Sequence, residues 1–135
     1  MIDYEVDIFD EMARVVYEGW PEAYVSGEHV ERPASFPCVT IIETVNQVDD
    51  TRIDTSGDEN AAILSYTVNV YSNSASGAKS QCRAIMAALD DRFRLRNMRR
   101  TFVRPVNNAA DPTVYRLVAR FLGVIDKNGT HYGRY

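Results

Sequence analysis

The chain has 135 residues, 45% hydrophobic and 25% charged, a size and balance that predict one globular domain over 1–135 with a core needing neither disulfides nor metal. Its net charge of -4 and pI near 5.1 argue against a general nucleic-acid binder, which carries a basic excess, though they leave room for a local basic patch. The two cysteines, Cys38 and Cys82, form no metal-type spacing and read as small core residues of a protein kept in a reducing compartment.

Residues 2–17 predict an amphipathic helix: Ile2, Val6, Phe9, Ala13 and Val16 recur at spacings of three and four, with Asp3, Asp7, Asp10 and Glu11 on the other side. Asp3 and Glu5 suit the positive end of its dipole, and Gly19 and Pro21 end it. Acids open the chain where a secretory signal would carry bases, and no stretch approaches 18 apolar residues, so the expectation is neither secretion nor a membrane span. Trp20 is placed to cap the core after this helix. Residues 21–37, with Pro21, Gly27, Pro33 and Pro37, read as a connection holding one short strand around 23–25.

Residues 38–44 are β-branched and predict a strand. The polar stretch 45–60 is long for a loop in a small domain; it suits a functional loop, a disordered one or a hairpin arm. Residues 61–72 give the clearest strand, with Leu64, Tyr66, Val68 and Val70 on one face and Ser65, Thr67, Asn69 and Tyr71 on the other. Residues 76–94 predict a second helix with the stripe Ala78, Cys82, Ile85, Leu89 and Phe93, capped by Ser74 or Ser76. Residues 98–106 read as a strand that Pro105 confines to an edge or an end. In the last long strand, 113–125, Tyr115, Leu117, Ala119 and Phe121 alternate with Val114, Arg116, Val118 and Arg120. The two arginines suggest that their face is partly solvated or meets a partner. The order α-β-β-α-β-β predicts an α+β fold: a mainly antiparallel sheet of about four strands with two helices packed on one face.

No nucleophile–base pattern, P-loop, GxGxxG or HExxH is visible, and the histidines, His29 and His131, fall in a loop and the tail. The expectation is a protein that is not an enzyme and takes no cofactor. The acids Asp49, Asp50, Asp54, Asp58 and Glu59 do not match an EF-hand loop and read as a solvated acidic segment. Arg92, Arg94, Arg96, Arg99 and Arg100 fall within nine residues. They suit a solvated helix end, a protein interface or, less well in an acidic chain, phosphate contact. In a ring, one subunit's 49–59 acids can meet the next subunit's arginines. Tyr71 is a candidate interface anchor or a residue at a sheet edge, and the tail HYGRY either docks or frays.

FPCVTIIETVNQ, TSGDENAAILSYTVNVYSN, SGAKSQCRAIMAALDDRF and RRTFVRPVNNAADPTVYRLVARFLGVID, taken together and in order, resemble the tail-completion proteins of long-tailed bacteriophages, called tail terminators and sometimes minor capsid proteins. The likeness spans about 36–126. It implies an α+β fold and a virion protein, assembled in the host cytoplasm, that forms a hexameric ring at the upper end of the tail tube. Such a ring halts tube polymerisation and joins the tail to the head-side connector, and DNA passes through its lumen. The implied partners are further copies of the chain, the tail tube protein and the connector protein. The resemblance carries no catalytic residues, and it puts contacts in 45–60 and near 98–112. A carboxylate-lined lumen repels DNA phosphates, so the 49–59 acids are expected to face the lumen or an adjoining subunit. The rivals are a head-closure or adaptor ring and a nucleic-acid-binding adaptor that uses Arg92 to Arg100.

Overall fold

The computed structural model describes residues 1–49, 60–107 and 111–129 and the backbone of 131–132. The elements are α1 (Glu5–Gly19), β1 (Tyr24–Ser26), β2 (Cys38–Val48), β3 (Ala61–Ser72), α2 (Ala78–Leu95), β4 (Arg99–Val106), β5 (Tyr115–Asp126) and β6 (His131–Tyr132). The fold is α+β, with two helices and a mixed sheet in the order β1-β2-β3-β5-β4, and β6 pairs with β5. The four long strands pair antiparallel, as expected; the short β1 adds a parallel edge to β2, and this is what makes the sheet mixed. A parallel pair needs a connection that returns the chain to its starting end, and residues 27–37 between β1 and β2 provide it.

β2 extends past its predicted end at 44, and its partner residues run to Val48↔Ala62, so the first part of the expected loop is hairpin. A bulge falls between Glu43 and Val45. Residues 50–59 lie outside the described residues.

One face of the sheet meets both helices. Val39, Ile41, Leu64, Tyr66, Val68, Val70, Leu117, Ala119 and Phe121 share one buried cluster with Ile8, Met12 and Val16 of α1 and Ile85, Leu89 and Phe93 of α2. The α2 stripe is the expected one from Cys82 onward. The α1 stripe holds at Ile2, Ala13 and Val16, with Phe9 packed against the core, but Val6 is 68% exposed and Ile8 and Met12 are buried in addition. Burying Ile8 and Met12 centres the helix on the larger apolar side chains and leaves Val6 at the rim.

The serine caps expected for α2 are also corrected. Gly77 stands at the N-cap with no side-chain bond, and Ser72 Oγ instead donates to Gln81 Oε1. The far end closes with a Schellman motif. Met98 N donates to Phe93 O and Asn97 N to Arg94 O, both at 2.9 Å, around Asn97 at φ 59°. This turn sends Met98 back into the core and starts β4.

Candidate protein interface

The fold divides the basic run that looks continuous in sequence. Arg92 and Arg96 both reach the carboxylate of Glu11 on α1, Arg92 at 3.7 Å. Arg94 pairs with Asp91 and Arg100 with Asp90, each at 3.1 Å. Arg92, Arg96 and Arg100 thus tie the two helices and the start of β4 together, while the Arg94 pair stays within α2. Arg99 has no carboxylate partner among the described residues.

The reason lies in a bulge. β4 pairs with β5 through Arg99↔Leu122 and Arg100↔Phe121, skips Thr101 and resumes at Phe102↔Arg120. Phe121 faces α2, stacked at 4.2 Å on Phe93, so Arg100 lies on the helix face and Arg99 on the other. The extra residue also turns Arg104, paired to Val118, onto the same side as Arg99. Arg116 and Arg120 of β5 alternate onto this side as well.

Four arginines therefore share the sheet face away from the helices, the face whose arginines suggested solvent or a partner. Arg120 Nε donates to Oγ of the buried Ser65 at 2.8 Å, and Arg116 Nε donates to Asn69 Oδ1 at 3.0 Å. The Arg116 guanidinium stands 5.4 Å from the centre of the Tyr71 ring, and that of Arg104 stands 5.1 Å from the centre of Phe102. Their partners are neutral, and none of the four has a carboxylate partner among the described residues. Half-buried Ile42, Ile63 and Leu122 lie between them, with Phe102 37% exposed at the β4 edge. This surface offers charge-assisted hydrogen bonds around apolar contacts.

The opposite edge of the sheet has the opposite charge. Asp3, just ahead of α1, and Glu5, Asp7, Asp10 and Glu18 on it are exposed and enter no ion pair among the described residues. Arg14 is the counter-charge within this row. A groove of about 420 Å³ runs between α1 and β1, lined by Val6, Phe9, Val25 and Gly27, with Glu5 and Glu28 in its walls.

Tyr71 is corrected as a surface anchor: it is 3% exposed and packs with Cys38, Val114, Val30 and Phe36 under the 27–37 connection. β3 is central, so Tyr71 is not at a sheet edge. Asp49 is 5% exposed, and its backbone N–H donates to Ala61 O just past the last β2–β3 pair, Val48↔Ala62. Asp50, Asp54, Asp58 and Glu59 lie outside the described residues, as do the side chains of 130–135.

Cys38 and Cys82 are buried and free, and burial pushes their thiols up to about 11 and about 12, away from nucleophilic use. Among the described residues no group of three or more histidine, cysteine or carboxylate side chains stands together to hold a metal ion, and no helix is long and apolar enough to cross a membrane. No protein-family model matches the chain, and no curated protein matches it.

Proposed function

We infer that this chain is a structural subunit of a phage tail, one that forms a ring at the head-proximal end of the tail tube. The ring stops tube polymerisation and joins the tail to the head-side connector, and DNA passes through its lumen. The observation that carries this reading is the charge difference between the two edges of one sheet. Among the described residues, arginines without a carboxylate partner stand on the β4 side and carboxylates without an ion pair on the α1 side. Opposite charges on opposite edges favour head-to-tail contacts, which close into rings when the rotation between copies allows it. The resemblance over 36–126 supplies the tail end as the place and six as the copy number. The α+β fold is the one it implies.

The mass of the purified chain, alone and with tail tube protein, tests this reading, as does the length of tubes grown with the chain present. A ring-sized species that caps tubes supports it. Tubes of unchanged length overturn it, and binding to the connector alone moves the ring to the head side. The four sheet arginines favour one further reading, a nucleic-acid adaptor. It requires a salt-sensitive shift of duplex DNA, with the slope set by the number of phosphates contacted.

A further inference from the structure

We propose that the β4 edge of one copy, through Arg99, Phe102 and Arg104, docks on the acidic α1–β1 edge of a second copy. The pairing rests on the ring reading above only for its closure; the two surfaces stand on their own geometry. In the order β1-β2-β3-β5-β4, β1 and β4 are the two outer strands. A contact between unlike edges leaves one free edge of each kind on the pair, so the same contact can repeat.

The chemistry of the two edges is complementary. Arg99 and Arg104 are exposed, and neither has a carboxylate within this chain among the described residues. Asp7 and Asp10 on α1 are exposed and unpaired in the same sense. Phe102 stands out between the two arginines, and the α1–β1 groove presents Val6, Phe9 and Val25 between Glu5 and Glu28. An aromatic side chain entering an apolar groove flanked by carboxylates, with an arginine on each side, is the pattern of a buried anchor with a charged rim.

Continuation of the sheet by backbone pairing is not the mode. β1 has only three residues, β4 is bulged at Thr101, and Pro105 lacks an N–H. Side chains therefore carry the contact, and it responds to charge reversal.

The test uses the full chain in sedimentation velocity at about 0.1 M salt, where exposed charges still attract over roughly 10 Å, both alone and with tube protein. One variant carries Arg99→Glu and Arg104→Glu, and the other carries Asp7→Lys and Asp10→Lys. These four side chains make no hydrogen bond or ion pair within the described chain, and Arg104 loses only its exposed contact with the Phe102 ring, so thermal melts close to wild type are expected and are checked. Wild type self-associates; each variant alone is weakened roughly tenfold or more. An equimolar mixture of the two recovers assembly, because each supplies the edge the other reversed. Phe102→Ala weakens assembly without altering its salt dependence.

Variants that assemble like wild type overturn the docking, while tube capping continues to judge the ring reading by itself. A wild type that stays monomeric in both conditions also overturns it. Loss of a duplex DNA shift in the arginine variant, with self-association unchanged, assigns the β4 edge to phosphate instead and overturns the docking as well.

Discussion

Gly123 is set where Met98 crosses β5. A Cβ there would stand 2.6 Å from Met98 Cγ and 3.3 Å from its Cα, so the helix turn itself would have to move. Gly123→Ala is expected to cost about 1–3 kcal/mol in urea unfolding; a variant as stable as wild type would show that Met98 repacks freely. Asn97 holds φ at 59°, a conformation that a residue with an unbranched apolar side chain enters at a cost of about 1–2 kcal/mol. Asn97→Ala is expected to lower stability by about 1 kcal/mol and Asn97→Gly to hold or raise it, a sign difference that equilibrium unfolding reads directly.

Glu43 sits on the helix face, where burial raises its carboxyl pKa. The Tyr66 hydroxyl, which donates to Oε1 at 2.9 Å, opposes the rise, and Glu5 and Asp3 add to it. A pKa higher in the folded state than in the unfolded chain means that folding favours the protonated form. The contribution of Glu43 is thus full below the ordinary glutamate pKa and is lost as pH rises through the folded value. Glu43→Gln keeps an acceptor for Tyr66 and removes the charge. It should raise Tm at neutral pH, with the gain shrinking in acid; an equal gain at both pH values would rule out the charge as its cause.

At the scale of elements, the two helices are joined by charge as well as by their apolar stripes. Glu11 of α1 receives Arg92 and Arg96 from the end of α2, and the Glu11 and Arg96 side chains are 21% and 23% exposed. Screening is reduced at such a site, and Glu11→Ala is expected to cost about 2 kcal/mol because two cations lose their partner. A loss below about 0.5 kcal/mol in denaturant unfolding would class the pair with ordinary surface bridges. Beneath it, Phe93 lies between Tyr66, at 5.9 Å, and Phe121, at 4.2 Å, and so binds α2 to β3 and β5. Phe93→Ala should cost about 3–5 kcal/mol through transfer and cavity terms together.

For the whole molecule, helices on one side of the sheet and arginines on the other leave a chain of net charge -4 with a local basic edge. Association through such edges should weaken as salt rises from about 0.1 to 1 M, over which the screening length falls from roughly 10 Å to 3 Å. Assembly that persists unchanged across that range would make apolar contact, with Phe102 at its centre, the main attraction.

Alternation along 61–72 and 113–125 and the stripe from Cys82 to Phe93 are local records of which side chains meet the core, and for that reason the sequence alone determined the α+β class, the order of the two helices and four long strands and the arginine-bearing face of β5, but not the pairing of β6. The same periodicity could not tell that Val6 stays outside while Ile8 and Met12 turn inward, because that depends on what the opposing sheet offers. It could not see β1 join in parallel, since a three-residue strand carries almost no pattern of its own. Nor could it sort the arginines of 92–100. Arg99 and Arg104 are five residues apart, a spacing that puts them on opposite faces of a regular strand, and only the bulge at Thr101 brings them together. Glu11, distant in sequence, takes two of the run into the helix pair. Which charges are left for a partner is a sum over contacts distant in sequence, and only the tertiary structure decided it.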